Sequence, residues 1–88
     1  MKMIIAIIRD SDNEPVSQAL VTAGFRVTRV ASTGGFLRRG SSTLMIGVED
    51  EKVEQAIQVL RESTTPSEDP GVRRATLFVL NIEHFSQI

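Results

Sequence analysis

The chain has 88 residues, which predicts a single small domain over residues 1–88. A chain of this length buries only about 60 to 65% of its unfolded surface, so self-association is an early expectation. The sequence has ten Lys and Arg residues and eleven Asp and Glu residues. The resulting net charge of −1 gives no general attraction to nucleic acid. Cysteine is absent and His84 is the single histidine, which excludes disulfide frameworks, thiol nucleophiles and Cys/His metal clusters.

Apolar residues do not form a membrane-spanning run. The longest, Met3 to Ile8, is far shorter than the roughly 20 residues that cross a bilayer. The N-terminal segment also lacks the form of a signal peptide. We therefore expect a soluble, cytoplasmic protein without membrane insertion.

The first part of the chain predicts a strand, a helix and a second strand. Lys2 to Arg9 is β-branched and apolar, as in a central strand. Asp12 or Asn13 can cap the helix that follows, and Gly24 ends it. The apolar stripe of this helix consists of Val16, Ala19, Leu20 and Ala23. Phe25 to Ala31 predicts the second strand, and the paired glycines within 32–40 predict a loop.

The second part predicts a strand, a helix and a last strand. Ser41 to Val48 alternates as a strand does, although Gly47 would weaken it unless something must approach the backbone closely. An acidic start at Glu49 opens a second helix that ends near Ser63. The polar stretch 64–71 holds two prolines and predicts a loop, followed by a strand over 72–80 and a short tail over 81–88.

This order of elements is typical of an α+β, ferredoxin-like βαββαβ fold, with an antiparallel sheet and both helices on one face. The other face of the sheet would then be left uncovered and apolar, and the edge strands would be unpaired. We therefore expect a homo-oligomer with binding sites at the subunit boundaries.

The charged residues in the first half of the chain favour binding of an anion. Between Pro15 and Val48 the chain has no acidic residue but has four arginines, Arg26, Arg29, Arg38 and Arg39. Arginine forks suit phosphate, and the backbone N–H groups of the loop at 33–35 can face an anion. Phe36 and Leu37 follow the paired glycines, where a solvated loop would be polar. Two interpretations stay open and are compatible: these side chains pack under the loop or on a neighbouring subunit, or they form the wall of a purine pocket.

Other candidate sites are weaker. His84 has no acid or nucleophile partner in the sequence, and the acidic cluster at 49–54 is what a helix N-terminus favours without any metal. The sequence holds no Walker A loop and no G-x-G-x-x-G motif. We therefore expect no catalytic residue, no metal and no cofactor.

Three segments resemble the PII-like cyclic di-AMP receptor proteins nearly end to end: MKMIIAI with D-x-D after it, FRVTRVASTGGFLRRGSSTLMIGVED, and ATLFVLNIEHFSQI. The TGGFLR block is specific to that family. The resemblance implies a PII-type domain assembled as a homotrimer, with one dinucleotide in each of three clefts between neighbouring subunits.

The resemblance also implies ligand-binding positions along most of the chain. Arg26 and Thr28 would lie in the cleft, Arg26 for a phosphate or purine contact and Thr28 for a hydroxyl bond. The loop would enclose an adenine, the backbone of the third strand would lie against a base, and the last strand and the tail would complete the pocket. These further positions are Gly35, Phe36, Leu37, Gly47, Phe78 and Gln87.

The chain departs from the family at three places. Gly24 and Ser41 stand where asparagine is common in the family, so two ligand-bonding amides are absent. The connection between the second helix and the last strand has only about ten residues, 63–72, where typical receptors have a long loop that transmits the signal.

The leading hypothesis is a non-enzymatic protein of signal transduction that binds cyclic di-AMP and acts on a downstream protein that the sequence does not identify. One alternative is a PII-like trimer that senses a different adenine nucleotide or a small anion. A small acylphosphatase-like enzyme is a second alternative, which the acidic segment DSDNEP after the first strand disfavours. A third is an assembly protein whose Phe36-Leu37 loop only packs in the oligomer.

Overall fold

A computed structural model describes residues 1–30, 40–66, 75–86 and 88. The strands are β1 (Lys2–Arg9), β2 (Arg26–Val30), β3 (Ser41–Val48) and β4 (Ala75–Asn81), and the helices are α1 (Asn13–Thr22) and α2 (Val53–Ser63). A short 3-10 turn leads into each helix, at Asp10–Asp12 and at Asp50–Lys52. The element order confirms the predicted βαββαβ plan.

The four strands form one antiparallel sheet in the order β2-β3-β1-β4. β1 is central, as its apolar composition predicts, and pairs with β3 from Lys2 opposite Val48 to Arg9 opposite Ser41. β4 pairs with the other side of β1, and β2 pairs with β3. Of the described strands, β2 and β4 therefore form the two edges.

One face of the sheet is covered by both helices and forms the core. Successive strand residues point to opposite faces, and every second residue is buried from Ile4 in β1 and from Ser42 in β3. The helices contribute small and branched apolar side chains at three- and four-residue spacing. The core consists of Ile4, Ala6, Ile8, Val16, Leu20, Phe25, Leu44, Ile46, Val48, Ala56 and Leu60.

The end of α1 differs in part from the prediction. Val16 and Leu20 are buried as expected, but Ala23 is exposed and was wrongly placed in the apolar stripe. The reason is that α1 ends at Thr22, and the chain then turns through Gly24 with a φ of +94°. Phe25 precedes β2 rather than opening it, and its N–H donates to the Leu20 carbonyl at 2.9 Å, which closes the helix.

The other face of the sheet carries no described helix, and we call it the open face. The strand register arranges its side chains in three rows across β2, β3, β1 and β4. The first row is Arg26, Gly47, Met3 and Leu80; the second is Thr28, Met45, Ile5 and Phe78; the third is Val30, Thr43, Ile7 and Thr76. Several of these apolar side chains remain about half exposed, including Phe78 at 51% and Leu80 at 46%.

Candidate ligand-binding face

The open face brings four of the predicted site residues onto one surface. Arg26 lies directly opposite Gly47 in the first row, and Thr28 and Phe78 lie in the second row. The four other predicted positions, Gly35, Phe36, Leu37 and Gln87, lie outside the described residues. The placement on one face follows from the even spacing of Arg26 and Thr28 along β2, because side chains two residues apart point the same way.

The two described arginines of β2 have opposite environments. Arg26 is exposed on the open face, and no described residue forms an ion pair with it. Arg29 lies on the helix side, where its Nη2 donates to Glu14 Oε1 at 2.7 Å. When the Asn13 amide is oriented with its oxygen toward Arg29, that oxygen also accepts from Arg29 Nε at 2.9 Å. Of the two described arginines of β2, Arg29 is therefore the one with an acidic partner on α1.

The predicted residues of the open face fall into two groups within one chain. Thr28 and Phe78 share a row but stand on the two edge strands. Three strand spacings of about 4.8 Å separate their backbones by about 14 Å. That distance is too large for both side chains of one chain to contact the same base, so we call the two groups, at opposite edges of the sheet, the two predicted half-sites.

The Met1 side chain lies close to the backbone of Gly47, on the side where a Cβ would project. A Cβ added to Gly47 would lie 3.0 Å from Met1 Cε. The backbone of Gly47 does not have a positive φ, so its conformation does not require glycine. The absence of a side chain instead leaves room over β3, which is what the resemblance implies for a base-contacting position.

Met1 is held over Gly47 by two further contacts. Its amino group lies 3.0 Å from Asp50 Oδ1, and its carbonyl accepts from the Ile82 N–H at 3.1 Å. The hydrogen bond from this ammonium group is the main cause that lowers the pKa of Asp50 below its usual value. The flexible thioether side chain of Met1 is thus the group that a ligand lying on Gly47 would have to move.

Gly24, one of the departures from the family, meets a backbone requirement. Its φ of +94° is left-handed, and nothing lies within 4 Å of a Cβ placed there. Asparagine tolerates this conformation better than other residues with a side chain. Glycine adopts this conformation without strain, so in this chain Gly24 serves the turn while it offers no side-chain amide.

Asp12, which the sequence suggested as a possible helix cap, makes no capping hydrogen bond with its side chain and is buried in another contact. Asp12 is 1% exposed, and its Oδ1 accepts from the Thr65 hydroxyl at 2.6 Å and from the Thr65 N–H at 3.2 Å. Arg9 also donates to the Thr65 carbonyl, and its Nε lies 3.5 Å from Asp12 Oδ2. Asp12 and Arg9 therefore anchor the chain just after α2. An acidic residue directly after a central apolar strand was the only sequence signal for this contact.

Two further classes of site have no support within the described ranges. No three His, Cys, Asp or Glu side chains there come together as potential metal ligands. In the same residues no helix combines the length and apolarity needed to cross a bilayer.

Comparisons with known proteins show the family of the chain. The model of a family described as cyclic-di-AMP receptor matches residues 1–70. The matched part contains Arg26, Thr28 and Gly47, whereas Phe78 lies beyond it. The chain is also similar to a crystal structure of a functionally unknown protein from Pediococcus pentosaceus, with 30% identity and a TM-score of 0.78 over 99% of this chain and 96% of the other. Because the family model covers well over half of its length, the chain belongs to the cyclic-di-AMP receptor family.

Proposed function

We propose that this protein binds cyclic di-AMP as a non-enzymatic signalling receptor, with the ligand in clefts between the subunits of a homotrimer. The observation that carries the proposal is the strand register. It sets the exposed Arg26 opposite Gly47 on the open face, beside Thr28 in the next row. A cationic fork, a hydroxyl and a bare strand backbone together suit a molecule with both a phosphate and a flat base.

Each group has a separate chemical task in this proposal. The Arg26 guanidinium donates to a phosphate oxygen or to a purine edge, and its charge is available because no described acid pairs with it. The Thr28 hydroxyl supplies a second hydrogen bond. Gly47 lets the base approach the β3 backbone once the Met1 side chain moves aside.

The separation of the half-sites supports a cleft between chains. Phe78 on β4 is about 14 Å from Thr28 on β2 within one chain, by the usual strand spacing. When the β4 edge of one subunit lies beside the β2 edge of the next, the two half-sites face one ligand. Assembly would also cover the exposed Phe78, Leu80 and Val30 side chains of the open face.

The turn between β1 and α1 favours binding over phosphate hydrolysis. A small acylphosphatase-like enzyme would need an anion-binding loop at this place. Here Asp10 accepts from the Ser42 hydroxyl, and the buried Asp12 accepts from Thr65. Two carboxylates at this turn repel phosphate, so the arginine side of the open face remains the better anion site.

Calorimetric titration of the purified protein with cyclic di-AMP tests the proposal, with cyclic di-GMP and ATP as comparison ligands and light scattering for the subunit count. We expect one cyclic di-AMP per subunit with a Kd of micromolar or below, and a trimer. Tighter binding of ATP than of cyclic di-AMP would favour a receptor for another adenine nucleotide. No heat and no shift in Tm with a large excess of any of the three would overturn nucleotide binding, and one ligand per isolated monomer would overturn the cleft.

A further inference from the structure

All three methionines of the chain lie together on the open face. Met3 is directly opposite Gly47 in the first row, and Met45 precedes Gly47 by two residues on β3. Met1 comes just before β1, and its Cε lies 3.0 Å from the position that a Cβ on Gly47 would take. Three thioether side chains are therefore placed beside the one residue of the first two rows that has no side chain.

The methionines are open to solvent to a degree that the core is not. Met1 is 45% exposed, and Met3 and Met45 are each partly exposed, whereas their strand neighbours on the covered face are completely buried. Susceptibility of methionine to oxidation follows the exposure of its sulfur, so small oxidants in solution can reach this cluster. Isoleucine and leucine fill other positions of the same two rows, at Ile5 and Leu80, and have no sulfur to oxidise.

The strand register places two of these sulfur-bearing side chains next to the hydrogen-bond donors of the face. Met45 is directly opposite Thr28 and diagonal to Arg26, and long side chains at such positions reach each other. Met3 and Arg26 stand on the two sides of Gly47, which has no side chain to separate them. Oxidation turns an apolar thioether into a polar sulfoxide, whose oxygen accepts hydrogen bonds. A sulfoxide here would occupy the donors of Arg26 and Thr28 and would put a polar group where a flat base would pack.

We propose that Met3 and Met45 form a modification site, at which oxidation of the thioethers to sulfoxides weakens ligand binding; this inference rests on the proposed function. The oxidant is a peroxide. A lone pair of the sulfur forms a bond to one oxygen of hydrogen peroxide, the O–O bond breaks, and the other oxygen leaves as water with both protons. The sulfur is oxidised and the peroxide is reduced in the same step. The change is reversible, because methionine sulfoxide reductases restore the thioether.

Graded treatment with hydrogen peroxide, followed by peptide mass spectrometry and calorimetric titration, tests the inference. We expect Met3 and Met45 each to gain one oxygen atom, and to gain it more slowly when bound cyclic di-AMP covers this part of the face. The oxidised wild type should bind cyclic di-AMP about 10-fold more weakly at an unchanged subunit count, and methionine sulfoxide reductases should restore the affinity.

The matched control is the double variant Met3→Leu/Met45→Leu, because leucine keeps the volume of methionine without its sulfur. Met1 is then the one methionine left in the chain. Its flexible side chain is not fixed by strand pairing, so peroxide should lower the affinity of the double variant less than about 3-fold relative to its own untreated sample.

The outcomes separate this inference from the proposed function. Untreated wild-type protein that fails to bind cyclic di-AMP overturns the proposed function, and the role of the methionines with it. Untreated protein that binds, and binds equally well after Met3 and Met45 have been converted, overturns the modification site alone. An equal loss of affinity in the oxidised double variant also overturns it, because the effect would then come from another residue. So does a fall in subunit count on oxidation, which would mean that the sulfoxides disrupt assembly instead of the ligand contact.

Discussion

The two faces of the sheet are built from the same four strands but have opposite properties. On the helix-covered face, Ile4, Ala6, Leu44 and Ile46 are completely buried. On the open face, the first two rows hold an exposed arginine, a glycine and half-exposed apolar side chains such as Phe78. The core therefore needs only one face, and the other is available for assembly and binding.

Neighbouring residues of β2 lie on the two different faces of the sheet. Val27 packs against the core and Arg29 pairs with Glu14 in α1, whereas Arg26 and Thr28 face outward. A shift of one residue in the pairing with β3 would exchange these sets. Neighbouring residues on one strand thus provide matched pairs for experiments that compare the faces.

The largest expected effect is on assembly. Leu80→Glu should convert the proposed trimer to monomers, because burying an unpaired carboxylate in an apolar contact costs several kcal/mol for every chain. Val79→Glu is the matched control on the opposite side of β4, since the two residues are 46% and 44% exposed. Light scattering at equal concentrations measures the difference, and identical masses for both variants would contradict the assignment of the open face to the interface.

A core truncation should have the next largest effect. Ile46→Ala on the covered face is expected to lower the free energy of unfolding by about 2–5 kcal/mol, since the side chain is completely buried. Met45→Ala, its half-buried neighbour on the open face, should cost about 1 kcal/mol. Urea unfolding at one fixed protein concentration measures both. Equal losses would mean that the open face is packed as tightly as the core.

Ligand affinity should separate the two arginines of β2. Arg26→Ala is expected to weaken cyclic di-AMP binding about 10- to 100-fold, because it removes a charged hydrogen bond, and to leave the subunit count unchanged. Arg29→Ala should leave affinity unchanged and cost less than about 1 kcal/mol of stability, since its pair with Glu14 is exposed. Calorimetric titration of both variants tests this. Loss of binding in Arg29→Ala alone would place the anion on the helix side.

The smallest expected effects distinguish the two glycines. Gly47→Ala should weaken binding about 3- to 10-fold with little change in Tm, because the flexible end of Met1 can yield to the added methyl group. Gly24→Ala should do the reverse and cost about 1 kcal/mol of stability through its left-handed φ. Thermal unfolding and titration of both variants measure the contrast. A large stability loss in Gly47→Ala would show that this glycine serves the fold rather than the ligand.

Periodicity predicted much of the fold. The bounds of β1 and β3 match the prediction residue for residue, because each is a long run with turn-forming or charged residues at its ends. Helix ends were less accurate, as Ala23 shows, since the last turn depends on where the chain leaves the helix. The prediction for β4 began at Val72, and only its part from Ala75 lies within the described residues.

The candidate site was predictable in a different way. The resemblance to a family, rather than periodicity, singled out Arg26 and Gly47 as partners, and the strand register then set them opposite each other. The ion pair of Arg29 with Glu14 was not predictable, because it depends on which strand face meets α1.

The contacts of Thr65 with Arg9 and Asp12 affect how the connection between α2 and β4 can vary in length. Thr65 is bound to Arg9 and Asp12 at the end of β1, and β4 resumes at Ala75, which pairs with Ile8 of the same strand. The two ends of the intervening connection are thus fixed beside each other by residues outside it. Doubling the length of a loop with such fixed ends costs only about 0.6 kcal/mol in closure entropy. Insertions there can accumulate in evolution, or be grafted by design, while the sheet beneath them stays the same.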